Sequence, residues 1–101
     1  ALTARFARTA DILTQKVLRI VFWILQETPQ TFIDHANMAE KFEVVDRAQN
    51  LLLIRELRNE IAHEYAELNL TALFKRTLEC TPLLLEALAS TNAYITKKLS
   101  L

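Results

Sequence analysis

The chain of 101 residues contains no glycine and only two prolines. Tight β-hairpin turns depend on residues that tolerate a positive φ, and glycine is the one that does so without steric cost. Apolar side chains recur at intervals of three and four residues, as they do on one face of a helix. The sequence therefore predicts an all-α fold, an up-and-down four-helix bundle that forms one domain over residues 1–101.

The first two helices meet at a proline. We expect the first helix to run from about Thr3 to Gln26. The second should begin at Pro29, capped by Thr28, and end near Phe42.

The third and fourth helices have their own boundary signals. Asp46 and Gln49 resemble a capping box, so the third helix should begin near Arg47 and end near Tyr65 or shortly after. The fourth should begin near residue 70. We expect it to be bent or broken at Pro82, because proline removes a hydrogen-bond donor and clashes with the preceding turn. Its predicted core face comprises Leu84, Leu85, Leu88, Ile95 and Leu99.

The first helix has more apolar surface than one core face needs. Its predicted core stripe comprises Leu2, Phe6, Leu13, Val17, Ile20 and Ile24. Further apolar residues lie off the core stripes of the first and third helices, and in so small a chain they suggest a dimer contact. They are Leu18, Phe22, Leu25, Ala48 and Leu52. The sequence thus predicts a symmetric homodimer.

One edge of the first helix is basic and carries Arg5, Arg8, Lys16 and Arg19, with Trp23 continuing the line. Such an edge can track phosphates and stack a base on the aromatic ring. A solvated charged face is the commoner interpretation of the same pattern.

Composition limits the cellular setting. The net charge is zero, so the chain as a whole has no electrostatic attraction to nucleic acid. Cys80 is the single cysteine, which excludes an internal disulfide and suits a reducing cytosol. The apolar run at residues 17–25 is too short to span a bilayer. We expect a cytoplasmic protein without a membrane segment.

The chemically capable side chains cluster at residues 57–65, LRNEIAHEY, an R-x4-H-x-Y pattern formed by Arg58, His63 and Tyr65. At 100° per residue, Arg58 and Tyr65 fall within the apolar stripe of the third helix, and His63 lies about 140° from Arg58. Arg55, Asn59 and His63 rim one sector with Arg58, where a phosphate could approach. A guanidinium in an apolar stripe needs partners for its donors.

Plainer interpretations stay open. Arg58 could be a satisfied core arginine, and His63 an ordinary residue at a helix end. In a purely structural bundle, Arg58 would pair with a carboxylate such as Glu60 or Glu64 of a neighbouring chain. Tyr65 could complete the core with its ring. His35 has no ligand-type partner four residues on and is expected to be an ordinary surface or half-buried histidine.

Residues 57–65 resemble the signature of HEPN domains, most closely the HepT-like toxins that are paired with minimal nucleotidyltransferases. The resemblance extends to chain length, helix order and the motif's place at the end of the third helix. It implies a homodimer with the motif near the dimer cleft and, in many members, metal-independent ribonuclease activity. It also implies that a cognate nucleotidyltransferase antitoxin silences the toxin by adenylylating Tyr65.

The residue types suit that chemistry. RNA cleavage without a metal needs a base, an acid and a cation for the phosphorane. His63 can be the acid or the base and Arg58 the cation, while Arg55 and Asn59 could bind phosphate. No cofactor is expected, and no His, Cys and carboxylate cluster suits a catalytic metal. The alternative function is a non-catalytic subunit that presents substrate or nucleotide to the nucleotidyltransferase.

Overall fold

A computed structural model describes residues 2–63 and 70–100 of the chain, and these residues form four helical rods without a β-strand. The predicted all-α class is confirmed, and the arrangement is compatible with a helical bundle. The first rod is an α-helix that passes through a π-helical segment, here called the π segment, into a second α-helix. In chain order the elements are α1 (Leu2–Asp11), the π segment (Ile12–Val17), α2 (Leu18–Ile24), α3 (Phe32–Lys41), α4 (Ala48–Ala62) and α5 (Leu70–Lys98).

The π segment changes which face of the first rod is buried. The backbone N–H of Leu18 donates to the carbonyl of Leu13, five residues back. One extra residue in a turn rotates everything after it by about 100°. The predicted stripe therefore holds at Phe6 and Leu13, Val17 still packs against the core, and the stripe fails at Ile20 and Ile24. Ile20 and Ile24 are exposed, while the buried positions of α2 are Leu18, Val21 and Phe22.

The same slip overturns the predicted dimer contact. Leu18 and Phe22 are fully buried inside the chain, and Leu25 packs against the same core. Ala48 is also buried, and Leu52 packs against the core. Leu18, Phe22 and Ala48 are therefore buried within one molecule and cannot form a dimer contact, while Leu25 and Leu52 are half-buried.

The starts of α3 and α4 differ from prediction. Thr31, not Thr28, caps α3: its side chain accepts from the N–H of Asp34 at 3.1 Å, and the Asp34 carboxylate accepts from the N–H of Thr31 at 3.3 Å. The expected capping box at the start of α4 is not formed. Arg47 is the capping position without a side-chain bond, and the Glu40 carboxylate accepts from the N–H of Ala48 at 2.7 Å. Tertiary contact thus supplies the cap for α4.

Helix ends without glycine need another residue with a positive φ. Gln26 and Glu43 both adopt a φ of 62° directly after helices. After α3, the N–H of Val44 donates to the carbonyl of Ala39 at 2.8 Å, and that of Glu43 donates to Glu40 at 3.0 Å. This is the Schellman arrangement that usually carries glycine. The chain therefore makes tight helix ends despite its composition.

The last helix is described from Leu70 onward and continues through Pro82 without a break. Pro82 is exposed, so the Leu78 carbonyl that loses its donor lies on the solvent side of the helix. The Thr81 hydroxyl donates to the carbonyl of Thr77 at 2.7 Å and does not cap a new segment. Leu84 is buried as predicted, whereas Leu85 is exposed.

The fold is organised around α4, which packs against α1, α3 and α5. Its buried positions are Ala48, Leu51, Ile54 and Leu57, spaced three and four residues apart. Burial of these side chains fixes the rotation of α4, and so determines which of its polar residues face the first rod. Among the described residues, no helix combines the length and hydropathy needed to cross a membrane.

Candidate phosphate-binding groove

An open groove of about 740 Å³ lies between the first rod and α4. We call it the basic groove. Four cationic side chains and one carboxylate line it, together with two uncharged residues. The lining consists of Arg8, Asp11, Ile12, Gln15, Lys16, Arg55 and Arg58. Two of the predicted site residues, Arg55 and Arg58, are thus brought to one surface with part of the predicted basic edge of the first helix.

The π segment supplies three of the groove residues, Ile12, Gln15 and Lys16. Inside it, the Thr14 hydroxyl donates to the carbonyl of Ala10 at 2.8 Å, and Leu13 is fully buried. The wider turn keeps Leu13 in the core on one side and Gln15 and Lys16 in the groove on the other. Short π segments occur frequently at functional sites.

Arg58 is held by Asp11 of the same chain. Its Nε donates to Oδ1 of Asp11 at 2.7 Å and its Nη2 donates to Oδ2 at 3.0 Å, a two-bond fork. The hydrogen bond from Asp11 raises the pKa of Arg58 above its ordinary value. The two side chains are 32% and 39% exposed, so the pair contributes only about 0–1 kcal/mol to stability. Its main effect is to fix the guanidinium at the groove wall.

The fork leaves part of Arg58 free to bind. A guanidinium has five N–H donors. Two are taken by Asp11, and Nη1 lies 3.4 Å from Oδ1 of Asn59. Two donors therefore remain for a ligand, while Asn59 orients the arginine. Within the chain Glu60 pairs with Arg76, and the alternative pairing of Arg58 with Glu60 of a neighbouring chain stays a prediction. Glu64 lies outside the described residues.

Arg55 is placed by an aromatic ring. Its guanidinium lies over the ring of Phe32, 4.6 Å from the centroid. This cation–π contact leaves the N–H edges of Arg55 available and does not neutralise its charge. Arg55 lines both the basic groove and a smaller adjoining pocket. It is therefore a cation held in place without a carboxylate partner among the described residues.

His63 lies apart from this groove. It is the first residue after α4, is exposed, and its backbone N–H donates to the carbonyls of Asn59 and Glu60 at 3.1 and 3.2 Å. Within the described part of the chain, His63 is not among the groove-lining residues. The motif residues Arg58 and His63 of one chain are thus not brought together. Tyr65, the third motif residue, lies outside the described residues.

Sequence reasoning overlooked the surroundings of His35. This half-buried histidine lines a pocket of about 120 Å³ together with Arg19 and Arg55. Its ring lies 5.5 Å from that of Phe22. Burial, with help from the charges of Arg19 and Arg55, lowers the pKa of His35 below its ordinary 6.5. Its predicted half-buried position is confirmed, and the two arginines beside it could not have been found from the spacing of histidines alone.

The chain was compared with protein-family models, with curated proteins and with solved structures, and none of the three comparisons found a match. The HEPN resemblance therefore rests on residues 57–65, the helix order and the chain length. Among residues 2–63 and 70–100, no three His, Cys, Asp or Glu side chains are grouped so that they could hold a metal ion.

Proposed function

We propose that the chain is a HepT-like endoribonuclease toxin with a HEPN-type site that cleaves RNA without a metal. One observation supports this most strongly: Arg58 of the motif lies in a groove with Arg8, Lys16 and Arg55. Cations in a row bind the phosphates of a nucleic-acid strand independently of its sequence. A chain with no net charge thus has a local surface suited to RNA.

The proposed reaction is a transesterification, in which the 2′-oxygen of the RNA replaces the 5′-oxygen on phosphorus. One His63 removes the proton of the 2′-hydroxyl, the 2′-oxygen attacks phosphorus, and the bond from phosphorus to the 5′-oxygen breaks. The same His63 then gives that proton to the departing 5′-oxygen, so each site needs one His63 and one Arg58. The two unpaired donors of Arg58 bind the phosphorane oxygens, where negative charge accumulates. The products are a 2′,3′-cyclic phosphate and a 5′-hydroxyl.

This reaction needs a second chain, because His63 and Arg58 diverge by about 140° on one helix. A two-fold homodimer would bring His63 of one chain to Arg58 of the other. We propose that the dimer forms through α5, which begins seven residues after His63 and exposes an apolar row. The row consists of Leu70, Phe74, Leu78 and Leu85.

Mixing two inactive variants tests the composite site. Arg58→Ala and His63→Ala should each be inactive alone. When they are mixed and re-equilibrated, half of the dimers are mixed and each carries one intact site of two. Activity should return to roughly a quarter of wild type. A mixture as inactive as its components, in dimers shown to exchange chains, would rule out the shared site.

The proposed control of the toxin involves Tyr65, two residues past His63. Adenylylation of its hydroxyl by a cognate minimal nucleotidyltransferase would add a phosphate and a base next to the site and exclude RNA by charge and occupancy. Intact mass after co-expression with the transferase should show one adenylate per chain. Tyr65→Phe should stay active and unmodified. An adenylate that persists in Tyr65→Phe would place the modification elsewhere.

The Arg58–Asp11 pair favours a second candidate, the non-catalytic subunit that presents substrate or nucleotide to a nucleotidyltransferase. A guanidinium with two donors already bonded to a carboxylate has less to offer a phosphorane. Such a subunit would bind the transferase and nucleotide, and purified dimers would leave RNA intact. A cleavage assay on dimers free of the transferase separates the two candidates.

A further inference from the structure

A second anion site lies beside the basic groove, at the pocket that α2, α3 and α4 enclose. Arg19 comes from α2, His35 from α3 and Arg55 from α4, so three helices place basic or titratable groups around one space of about 120 Å³. That volume accommodates a phosphate group and little more. The remaining lining residues are Thr14, Gln15, Gln30, Thr31 and Phe32. No carboxylate is among these described lining residues.

We propose that this pocket binds a phosphate group, and that His35 takes up a proton from solvent when the phosphate binds. The two arginines, which come from α2 and α4, supply positive charge for a phosphate. The pocket also borders the start of α3, where Thr31 caps the helix and the first N–H groups point out of it. The site goes beyond the proposed ribonuclease reaction, which uses Arg58 and His63.

His35 is poised for such a coupling. Its Nδ1 atom is buried and has no hydrogen-bond partner among the described residues, so no neighbour fixes its protonation state. Burial and the charges of Arg19 and Arg55 oppose its protonation, while Asp34 on the same helix favours it. Glu27 borders an adjoining cavity that His35 also lines. A bound phosphate would offset the two arginines and so raise the pKa of His35.

The phosphate could be a free ion or part of a nucleic-acid strand. The pocket shares Gln15 and Arg55 with the basic groove, so a strand lying in the groove passes its mouth. This second source rests on the proposed function, whereas binding of the free ion does not. The shared chemistry is a phosphate oxyanion held by two guanidinium groups.

The test follows both histidine rings by NMR in wild-type protein titrated with inorganic phosphate, with chloride at equal ionic strength as reference. The pKa of His35 should rise saturably with the phosphate concentration. Arg19→Gln and Arg55→Gln should each weaken phosphate binding at least about tenfold. Arg5→Gln, an exposed arginine of α1 outside the pocket, should leave it unchanged.

A His35 ring that does not respond to phosphate would overturn the pocket. So would equal affinities in Arg19→Gln and Arg5→Gln, two exposed positions at which the fold should persist. A short oligodeoxynucleotide, which lacks the 2′-hydroxyl and cannot be cleaved, identifies the source. If the pocket takes a phosphate of the strand, the oligonucleotide reproduces the His35 shift and competes with inorganic phosphate. If the pocket takes the free ion, the protein binds inorganic phosphate and the oligonucleotide at the same time, without competition. Both results support the pocket, and neither depends on ribonuclease activity.

Discussion

Arg58 and His63 are five residues apart on the same helix, yet they lie in different surroundings. Arg58 is on the groove wall, half-buried and bonded to Asp11 from the first rod. His63 lies past the end of α4, is exposed, and donates its backbone N–H to the carbonyls of Asn59 and Glu60. A motif that is compact in sequence is therefore divided in the fold between a supported site and an unsupported one.

Substitutions at the groove and at His63 should therefore have different kinds of effect. A change at the groove alters contacts between helices and therefore alters stability as well as binding. A change at His63 removes a side chain without a described packing role, so any loss it causes is chemical. Substitutions at the two places can thus test whether the motif acts as one unit.

The largest expected effect is at the helix end. His63→Ala should lower the rate of RNA cleavage about 10²–10⁴-fold, because a general acid or base is lost. Its free energy of unfolding should stay within about 0.5 kcal/mol of wild type, since the side chain is exposed. Cleavage kinetics and urea denaturation measure the two. Gln49→Ala, an exposed residue at the other end of α4, should change neither.

A second prediction concerns how the groove is built. Leu18→Ala should lower the free energy of unfolding by about 2–5 kcal/mol, because Leu18 is completely buried directly after the π segment. Ile20 lies two residues after Leu18 and is exposed, so Ile20→Ala should lower the free energy of unfolding by no more than about 0.5 kcal/mol. Denaturant midpoints measure both. Equal costs would mean that the first rod is an uninterrupted α-helix, whose groove face would then be different.

Periodicity predicted much of the fold and only part of the site. The number of helical rods and the burial of Phe6, Leu13 and Leu84 follow from apolar spacing. Local spacing cannot show contacts between distant residues. Asp11 meets Arg58 across 47 positions, and Glu40 caps α4 from eight positions away.

The groove shows the same limit. Arg8, Lys16 and Arg58 were each singled out from sequence, but as two unrelated features, a basic edge and a motif. Only packing of the first rod against α4 joins them. The π segment was missed because an ideal angle of 100° per residue was carried through the whole first helix. His35 was set aside because metal-type spacing was sought, while its actual neighbours are two arginines.

A third prediction concerns how the Arg58–Asp11 pair affects phosphate binding in the basic groove. Asp11→Asn should weaken the hold on Arg58 and leave more of its donors for phosphate, so oligonucleotide affinity should rise several-fold at low salt. The free energy of unfolding should fall by less than about 1 kcal/mol, because both partners are partly exposed. Titrations at several salt concentrations measure the first effect. Asp46→Asn, an exposed carboxylate outside the groove, is the control; equal gains in both variants would reduce the effect to net charge.

The smallest expected effect is a difference in the pH dependence of stability between variants of the two histidines, one beside the groove and one at the helix end. The folded state lowers the pKa of His35, so below about pH 6.5 the unfolded chain binds more protons than the folded one. The stability associated with neutral His35 is therefore present above pH 6.5 and is lost as the pH falls. His35→Gln should show a shallower loss of melting temperature between pH 7.5 and 5 than wild type, while His63→Gln should follow wild type. Because carboxylates contribute equally to all three proteins, the difference between the two variants isolates His35. Parallel curves for all three would show that the arginines beside His35 do not oppose its charge, and the phosphate pocket would lose its proton coupling.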